Sequence, residues 1–301
     1  GHCAAQHFSV LTWNTLAPVY FRDGRHRERS ESDIPEFFLC RHAHICAAIA
    51  KERADIVCLQ EHWFEASCVD LYRRELGTHG YRYESLQRTA WNREGRTEDG
   101  VAVFVLERSW RLVARHDVRF QDYGIAQDRV ALLLILRPVC AENEASQLAV
   151  LCTHLTYPHS RSDQEDRVQQ ISACLAAVDE TLGSRGVPVV IAGDLNGPAC
   201  DPVGLYLKSA GFCNAWEQFH RRQCEITHLD HRGQNFASDH LWSRGLSPSG
   251  AELLPSDVPD TQTLVRPNIG SWARKDASLC DFLDWCELSD HRPLVCTFPW
   301  C

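Results

Sequence analysis

The chain lacks the marks of a membrane protein. No apolar run reaches the ~18 residues that a transmembrane helix requires, and residues 1–6 contain no apolar core that would predict a signal peptide. The 301 residues are 44% hydrophobic and 24% charged, which is typical of globular proteins with a sizeable core. We therefore expect a soluble protein with no membrane span.

The chain also lacks an excess of positive charge. Its formal net charge is -9, and its basic residues are nearly all arginines, since lysine occurs only at Lys51, Lys208 and Lys275. A protein with this charge is not expected to coat duplex DNA by electrostatic attraction. A metal-dependent site for phosphate esters stays open, because bound cations supply positive charge locally.

The cysteines lack the spacing of a metal site or a disulfide framework. They number 15, and no Cys-x-x-Cys pair occurs. Cys58, Cys152 and Cys296 stand inside apolar, strand-like runs, where free cysteine behaves as a small buried hydrophobe. We expect reduced cysteines and a cytoplasmic or other reducing intracellular compartment, with a zinc site or disulfides as the alternative.

No repeat, Gly/Ser-rich linker or composition break divides the chain, which favours one domain over residues 1–301. Predicted strands alternate with helices but often come in successive pairs, a pattern typical of mixed sheets flanked by helices. Predicted strands cover residues 8–13, 55–59, 81–86, 101–106, 110–118, 129–136, 148–152, 189–192, 236–242 and 293–298. Predicted helices cover residues 40–51, 69–76, 163–182, 202–209 and part of 276–288, and predicted loops cover 15–33, 89–100 and 257–272.

One stretch organises the candidate site. Residues 189–192 form an apolar run that stops at Gly193, and Asp194 and Asn196 follow at alternate positions. A plain turn is the alternative, because Asp and Asn beside Gly are common turn residues.

Polar residues recur at other predicted strand ends, at Asn14, Glu61, His154 and Asp290 with His291, and Asp239 is a further candidate. Each alone has an ordinary interpretation as a turn residue, a surface carboxylate or a satisfied histidine. Open sheets usually build their sites where such residues meet at the carboxyl ends of strands. Together these residues indicate a site.

Their chemistry suits metal-assisted hydrolysis of phosphate esters. Mg²⁺ prefers oxygen ligands and is commonly held by one or two carboxylates, which Glu61 and Asp290 would supply. Asn14 and Asn196 would position the ion and the attacking water, and Asp194 would orient or deprotonate that water.

Two histidines would act on the phosphate. His154 and His291, when protonated, would donate hydrogen bonds to the phosphate oxygen that becomes more negative in the transition state. Asp239 beside His291 would raise the pKa of that imidazole by favouring its charged form.

Five segments, in order along the chain, resemble the signature blocks of the endonuclease/exonuclease/phosphatase superfamily: FSVLTWNTLA at 8–17, DIVCLQE at 55–61, THL at 153–155, GDLN at 193–196 and SDHRPL at 289–294. DGVAVF at 99–104 and DRVAL at 128–132 further resemble the branch of the CCR4-like deadenylases and nocturnin. THLTYPH at 153–159, HRG at 231–233 and SD at 238–239 resemble plant and algal proteins that join this domain to EF-hands, although no EF-hand loop occurs in this sequence.

This resemblance implies a four-layer α/β sandwich of the DNase I-like type, with two mixed sheets face to face and helices outside. It implies a hydrolase dependent on Mg²⁺ or Mn²⁺. Glu61 would be the main metal carboxylate, with Asn14 and Asp290 near the ion.

The resemblance also assigns catalytic roles. Asp194 and Asn196 would handle the nucleophile, and His154 would contact the scissile phosphate. Asp239 and His291 would form a dyad. Asp99 would line the site or cap a strand turn, and the structural role is favoured.

The fold does not choose the substrate, because the superfamily cleaves nucleic acids, inositol phosphates, sphingomyelin and small phosphorylated cofactors. We expect a nuclease acting on RNA or another single-stranded nucleic acid. The alternatives are a phosphatase or phosphodiesterase on a small molecule or lipid headgroup, and an inactive binding module. Stacking aromatics and arginines suit single-stranded RNA, and residues 22–29 with Tyr20, Phe21, Tyr123 and Tyr157 either supply them or are ordinary loop content.

Overall fold

The computed structural model describes residues 6–21, 30–89, 98–141, 143, 145–160, 162–224, 226–230, 233–259 and 288–300. Most of the predicted loop over 257–272 and of the helix within 276–288 lies outside these ranges, as do residues 22–29 and 231–232. In the described part of the chain, no helix has the length and apolarity needed to cross a bilayer. All cysteines in these ranges are free thiols.

Five α-helices lie in the described ranges: Pro35–Glu52 (α1), Ala66–Thr78 (α2), Ser162–Leu182 (α3), Pro202–Ser209 (α4) and Ala215–His220 (α5). The start of α4 shows how local sequence sets a helix end. The Asp201 side chain accepts a hydrogen bond from the Gly204 N–H, and Pro202 occupies the first turn, where its missing N–H is not needed. Helix α5 was not predicted, because six residues are too few to show a helical period.

The strands, in chain order, are Gln6–Asn14 (β1), Ile56–Trp63 (β2), Tyr81–Gln87 (β3), Asp99–Leu106 (β4), Trp110–Arg119 (β5), Val130–Pro138 (β6), Leu148–His154 (β7), Val189–Asp194 (β8), Cys213–Asn214 (β9), His228–Leu229 (β10), Asn235–Phe236 (β11), Asp239–Arg244 (β12), Gly250–Leu253 (β13) and Leu294–Trp300 (β14). The first sheet has the order β13-β14-β1-β2-β4-β3 and the second β5-β6-β7-β8-β12-β9. A two-stranded ribbon, β10-β11, forms a separate small sheet, and its His228 bridges to His291.

Each six-stranded sheet contains one parallel pair, β1 with β2 in the first and β7 with β8 in the second. The other pairings in both sheets are antiparallel. Parallel neighbours need a long crossover connection, and α1 and α3 supply it. Both sheets are therefore mixed.

Alternating side chains of the central strands belong to different layers. Val10 of β1 and Val150 of β7 lie in the core between the sheets. Leu11 of β1 packs with residues of α1 and α2, and Leu151 of β7 packs with residues of α3. Because both faces of these strands are buried, they show continuous apolar runs. The result is the predicted four-layer arrangement of helices, sheet, sheet and helices.

One edge of the sandwich collects the polar strand ends, and we call it the site edge. Strands β1, β2, β7 and β8 reach it with their carboxyl ends. Strands β12 and β14 run antiparallel to β8 and β1, so that they reach it with their first residues. Asp239 and the pair Asp290–His291 thus stand before or at the start of their strands, and the prediction of a site made from carboxyl ends alone was too narrow.

Two predicted boundaries were wrong. Residues 236–242 were predicted as one strand, but β11 ends at Phe236 and β12 begins at Asp239. The break occurs where the Ser238 carbonyl accepts from the Leu195 N–H, so that the chain leaves the ribbon and joins the second sheet. Asp99 and Gly100, predicted in a loop, begin β4 and pair with β2.

Candidate active site

Glu61 is placed at the site edge by a β-bulge. It is the extra residue between Gln60 and His62, which pair with the adjacent residues Val101 and Gly100 of β4. Its φ of 54° lies in the left-handed region, which is uncommon for a residue with a side chain. Bulges of this kind re-aim a side chain next to a site.

The Glu61 carboxylate is buried and crowded by negative charge. It accepts hydrogen bonds from the Asn14 Nδ2 at 3.2 Å and from the Ala17 N–H at 2.7 Å. Burial raises the pKa of Glu61 to about 7, and the nearby carboxylates of Asp99 and Asp290 add to the rise. Such a site is stabilised by a cation close to the carboxylate.

The loop that carries Ala17 is held by a buried ion pair. The Arg41 guanidinium lies 2.6 Å from the Glu31 carboxylate, and both side chains are fully buried. The same guanidinium donates to the Thr15 and Leu16 carbonyls, each at 2.7 Å. This pair fixes the backbone that presents the Ala17 N–H to Glu61.

Asn14 joins the two sheets at the site edge. Its Nδ2 donates to Glu61 of the first sheet and, at 3.1 Å, to Asp194 of the second. Its Oδ1 accepts from the Leu16 N–H at 3.0 Å. The carboxamide therefore sets the spacing of the two carboxylates, and its oxygen already has one partner.

The backbone around Asp194 explains the Gly-Asp-Leu-Asn sequence. A Cβ on Gly193 would collide with the Thr153 carbonyl of the parallel strand β7, so that only glycine fits there. Asn196 has a φ of 55°, which asparagine tolerates better than most residues. Its N–H donates to the Asp194 Oδ1 at 2.9 Å, and its Nδ2 donates to the Leu155 carbonyl at 2.8 Å.

Asp194 lies at the centre of the site. Its Oδ2 lies 3.4 Å from the His154 Nε2 and 3.8 Å from the His291 Nε2. Burial and the charge of Asp239 raise the pKa of Asp194 to about 6, although His291, Asn14 and Asn196 favour the ionised form. A carboxylate with a pKa near neutral is well matched to a general base.

His291 is paired with a carboxylate. Its Nδ1 donates to the Asp239 Oδ2 at 2.8 Å, and Thr227 and Ser238 hydroxyls donate to the same oxygen. Burial alone would lower the pKa of His291, but Asp239, Asp194 and Asp290 raise it to about 10. The imidazole is thus a cation near neutral pH, with its Nε2–H facing Asp194.

His154 has the opposite kind of partner. Its Nδ1 lies 2.7 Å from the Arg129 Nη1. A guanidinium only donates hydrogen bonds, so that this Nδ1 accepts and the proton sits on Nε2. Burial and the charges of Arg129 and Arg88 lower the pKa of His154 well below its ordinary value. The Arg129 contact and the lowered pKa favour a neutral His154 that donates from Nε2, rather than the protonated form considered from the sequence.

Asp290 and His228 flank the His291 ring. The Asp290 Oδ1 lies 3.8 Å from the His291 Nε2, and its Oδ2 lies 3.9 Å from the His228 Nε2. The His228 and His291 rings stack with centroids 3.8 Å apart and planes 11° apart. Sequence reasoning missed His228, because it stands on a two-residue strand that has no period to read.

A second arginine stands close to Arg129 but differs in its partners. The Arg88 guanidinium pairs with Asp99 at 3.1 Å and with Asp128 at 2.6 Å, and it also donates to the Tyr20 hydroxyl. Asp99 therefore pairs with Arg88, and its charge also raises the pKa of Glu61.

The donors at the site edge fit a hard divalent cation. Oxygen ligands are those that Mg²⁺ prefers, and the carboxylates of Asp99 and Asp290 are close enough to Glu61 to raise its pKa. In the described part of the chain, the buried Asn196 Oδ1 has no hydrogen-bond partner, so that it is available to a water or an ion. Two compact groups also gather here, His228–Asp290–His291 and Asp194–Asp239–His291.

The structure thus brings the predicted site residues together at one edge: Asn14, Glu61, His154, Asp194, Asn196, Asp239, Asp290 and His291. Sequence reasoning gave no role to Arg129, Arg88 or Thr227. The segment containing Arg129 was noted, but its contact with His154 depends on the pairing of β6 with β7.

The fold and this carboxylate–histidine site define a DNase I-like phosphoesterase scaffold. Residues 11–291 match the model of the endonuclease/exonuclease/phosphatase family. The chain belongs to this family, as the resemblance predicted.

The chain is similar to curated proteins that include angel and carbon catabolite repressor protein 4 homologues. An uncharacterised calcium-binding protein of Arabidopsis thaliana is 28% identical over 274 residues, covering 86% of this chain and 55% of the relative. Angel homolog 2 of Danio rerio is 28% identical over 205 residues, covering 67% of this chain and 35% of the relative. Carbon catabolite repressor protein 4 homolog 1 of Arabidopsis thaliana is 28% identical, covering 63% and 35%. The chain spans about a third to a half of these relatives.

Solved structures show the same fold. The 2',3'-cyclic phosphatase angel homolog 2, in complex with adenosine-2',3'-vanadate, has a TM-score of 0.71 at 20% identity, covering 98% of this chain and 96% of its own. The catalytic domain of human nocturnin with bound sulfate has a TM-score of 0.65 at 20% identity, covering 97% and 93%.

Proposed function

We propose that this chain hydrolyses phosphodiester bonds with Mg²⁺ or Mn²⁺, and that its substrate is RNA or another single-stranded nucleic acid. The observation that carries the proposal is the surroundings of Asp194. One buried carboxylate faces two imidazole Nε2 atoms, at 3.4 and 3.8 Å. Asn14 ties it to Glu61 of the opposite sheet. The family to which the chain belongs supports the reaction class.

Glu61 and Asp290 are the carboxylates that would hold the cation, with Asn14 setting the distance of Glu61 from Asp194. When bound, a divalent cation stabilises the negative charge that develops on the phosphate. The Glu61 pKa of about 7 means that part of the protein carries a protonated Glu61 near neutral pH without the cation, so that metal binding and proton release are coupled.

Asp194 would act as the general base. It accepts the proton of a water that attacks phosphorus, while the ester oxygen leaves on the opposite side. The Asn196 Oδ1, buried and without a partner among the described residues, is available to accept the water's other hydrogen. The N–H of Asn196 holds Asp194 in place.

His154 and His291 would stabilise the phosphate from two sides. Both present an Nε2–H near Asp194, where the transition-state charge develops. His291 adds a positive charge that Asp239 maintains, whereas His154 donates as a neutral group.

Exposed aromatic surface near the site supports a nucleic-acid substrate. Tyr20 is 41% exposed, and its hydroxyl accepts a hydrogen bond from the Arg88 guanidinium. Base stacking on such a ring is tolerant of sequence. Phe21 is buried and is not available for stacking.

The test is a hydrolysis panel with Mg²⁺, with and without EDTA. The panel holds poly(A) RNA, a mixed-sequence single strand, duplex DNA, adenosine 2',3'-cyclic phosphate, an inositol phosphate, sphingomyelin and NADPH. We expect cleavage of the single strands that EDTA abolishes.

Asp194→Ala is the matched inactive variant, and Asp179→Ala, on the outer helix α3, is the matched surface control. Cleavage of only a small phosphate ester would replace the nucleic-acid substrate but keep the phosphoesterase. No turnover on any substrate, together with no Mg²⁺ binding by calorimetry, would contradict the proposal in favour of an inactive binding module.

A further inference from the structure

The two arginines near His154 differ in charge compensation. Arg88 has two carboxylates, Asp99 and Asp128, within 3.1 Å. Within the described ranges, the Arg129 guanidinium has no carboxylate within 4.0 Å, and the imidazole of His154 is its hydrogen-bond partner. Among the described residues, Arg129 therefore lacks the direct ion pairs that Arg88 has, although the more distant charges of Asp99 and Glu61 favour its charged form.

This charge is costly unless an anion compensates it. Arg129 is partly buried, and burial together with the charge of Arg88 lowers its pKa, although Asp99 and Glu61 offset part of this effect. Removing a cation from water is unfavourable when no anion accompanies it. A guanidinium has five N–H donors, and the contact with His154 uses the donor on Nη1.

We propose that Arg129 forms a phosphate-binding position beside His154, in which its remaining N–H groups bind a non-bridging oxygen of the substrate. The ligand class is a phosphate ester or inorganic phosphate, for which the guanidinium fork is well suited. This inference rests on the proposed function for the identity of the substrate, but the position itself binds phosphate without turnover.

Arg129 would act on the phosphate and on His154 at the same time. The same guanidinium that would bind the phosphate also keeps the His154 proton on Nε2, the nitrogen that lies 3.4 Å from Asp194. Phosphate held at this position thus meets the His154 donor and the Arg129 donors side by side.

The test measures the affinity of inorganic phosphate by calorimetry for the full chain, with Mg²⁺ and separately with EDTA. The variants are Arg129→Gln, which removes the charge, Arg129→Lys, which keeps it without the fork, and Arg119→Gln, an exposed arginine of β5, as control. We expect a roughly 10- to 100-fold weaker affinity for Arg129→Gln in both conditions, because a hydrogen bond to a charged group is lost. Arg129→Lys should fall between that variant and the unchanged chain, and Arg119→Gln should not change.

Unchanged phosphate affinity in Arg129→Gln would overturn the inference. A loss seen only with Mg²⁺ would overturn it too, because Arg129 would then not bind phosphate without the metal. If Arg129→Gln does not fold, an unchanged affinity in Arg129→Lys overturns it instead. With a cleaved substrate, KM should rise in Arg129→Gln by more than kcat falls. Phosphate binding without any turnover would contradict the proposed function while leaving this position intact.

Discussion

The two histidines of the site face the same carboxylate but have opposite partners. His291 donates its Nδ1–H to Asp239, whereas His154 accepts at Nδ1 from Arg129. The pKa of His291 is raised to about 10, and that of His154 is lowered well below its ordinary value. One residue type thus supplies a charged donor on one side of Asp194 and a neutral donor on the other.

The difference shows that the partner, rather than the histidine, sets the chemistry. Both rings are buried, and burial favours the neutral form in both. On the His291 side a carboxylate reverses this effect, and on the His154 side a guanidinium strengthens it. Two protonated histidines would place two adjacent cations near Arg129, which the structure avoids.

The largest expected effect comes from removing the group on which both sides converge. Asp194→Asn keeps the shape but cannot accept the water proton. We expect kcat to fall by roughly 10²- to 10⁴-fold, the usual contribution of a general base. Steady-state kinetics on the substrate found in the panel measures this, with Asp179→Asn as the control. A loss below tenfold would show that another group is the base.

The second-largest expected loss of kcat comes from disrupting the His291 side of the site alone. In Asp239→Asn, His291 loses the carboxylate that keeps it charged, and we expect a roughly 10²- to 10³-fold loss of kcat at neutral pH. The unchanged protein should show a pH profile that rises near 6 with Asp194 and falls near 10 with His291. Both limbs should move to lower pH in the variant, because Asp239 raises both pKa values.

Asp117→Asn, on the surface of β5, is the control for this profile. An alkaline limb that stays in place in Asp239→Asn would contradict the assignment of that limb to His291.

The two sides should also differ in how they affect stability. His291 has a folded pKa above the ~6.5 of an unfolded chain, so that its contribution is complete below that pH and is lost as pH rises towards 10. His154 has a lowered pKa, so that its contribution is lost as pH falls below ~6.5.

Denaturant unfolding over a pH series measures both slopes, each at most about 1.4 kcal/mol per pH unit. His291→Gln should flatten the alkaline slope, and His154→Gln should flatten part of the acid slope, which His42 and His62 also produce. The reverse assignment of the two variants would contradict this account.

The smallest expected loss of kcat comes from removing the imidazole ring of His228, which stacks on His291 and, in the described part of the chain, has no counterpart beside His154. His228 stacks on His291 at 3.8 Å, and His228→Ala should lower kcat by roughly 2- to 10-fold through lost stacking. His228→Phe keeps a stacking ring and should stay close to the unchanged protein. Equal losses in the two variants would show that the imidazole nitrogens, rather than the stacked ring, are needed.

Mixed sheets, flanking helices and strand ends could be predicted because they depend on local pattern, whereas the four-layer arrangement was implied by the family resemblance. Apolar runs mark the buried strands, and Asn14, His154 and Asp194 follow directly where these runs stop. The bulge at Glu61 could not be predicted, since it depends on the register between β2 and β4.

The partners of the histidines were predictable on one side only. The Asp239–His291 pair was expected from the family resemblance. The Arg129–His154 contact joins the residue before β6 to the last residue of β7. Nothing in the local sequence around either residue indicates that the two are in contact. The neutral form of His154 that this contact favours could therefore not be anticipated from the sequence.

The account is tested most directly by nitrogen-15 NMR of the histidine side chains at neutral pH, with and without Mg²⁺. Signals are assigned from His154→Gln and His291→Gln. We predict that His154 shows one protonated nitrogen, Nε2, and one unprotonated nitrogen, and that His291 shows two protonated nitrogens. The same protonation state in both rings would contradict the claim that Arg129 and Asp239 divide the site into a neutral and a charged donor.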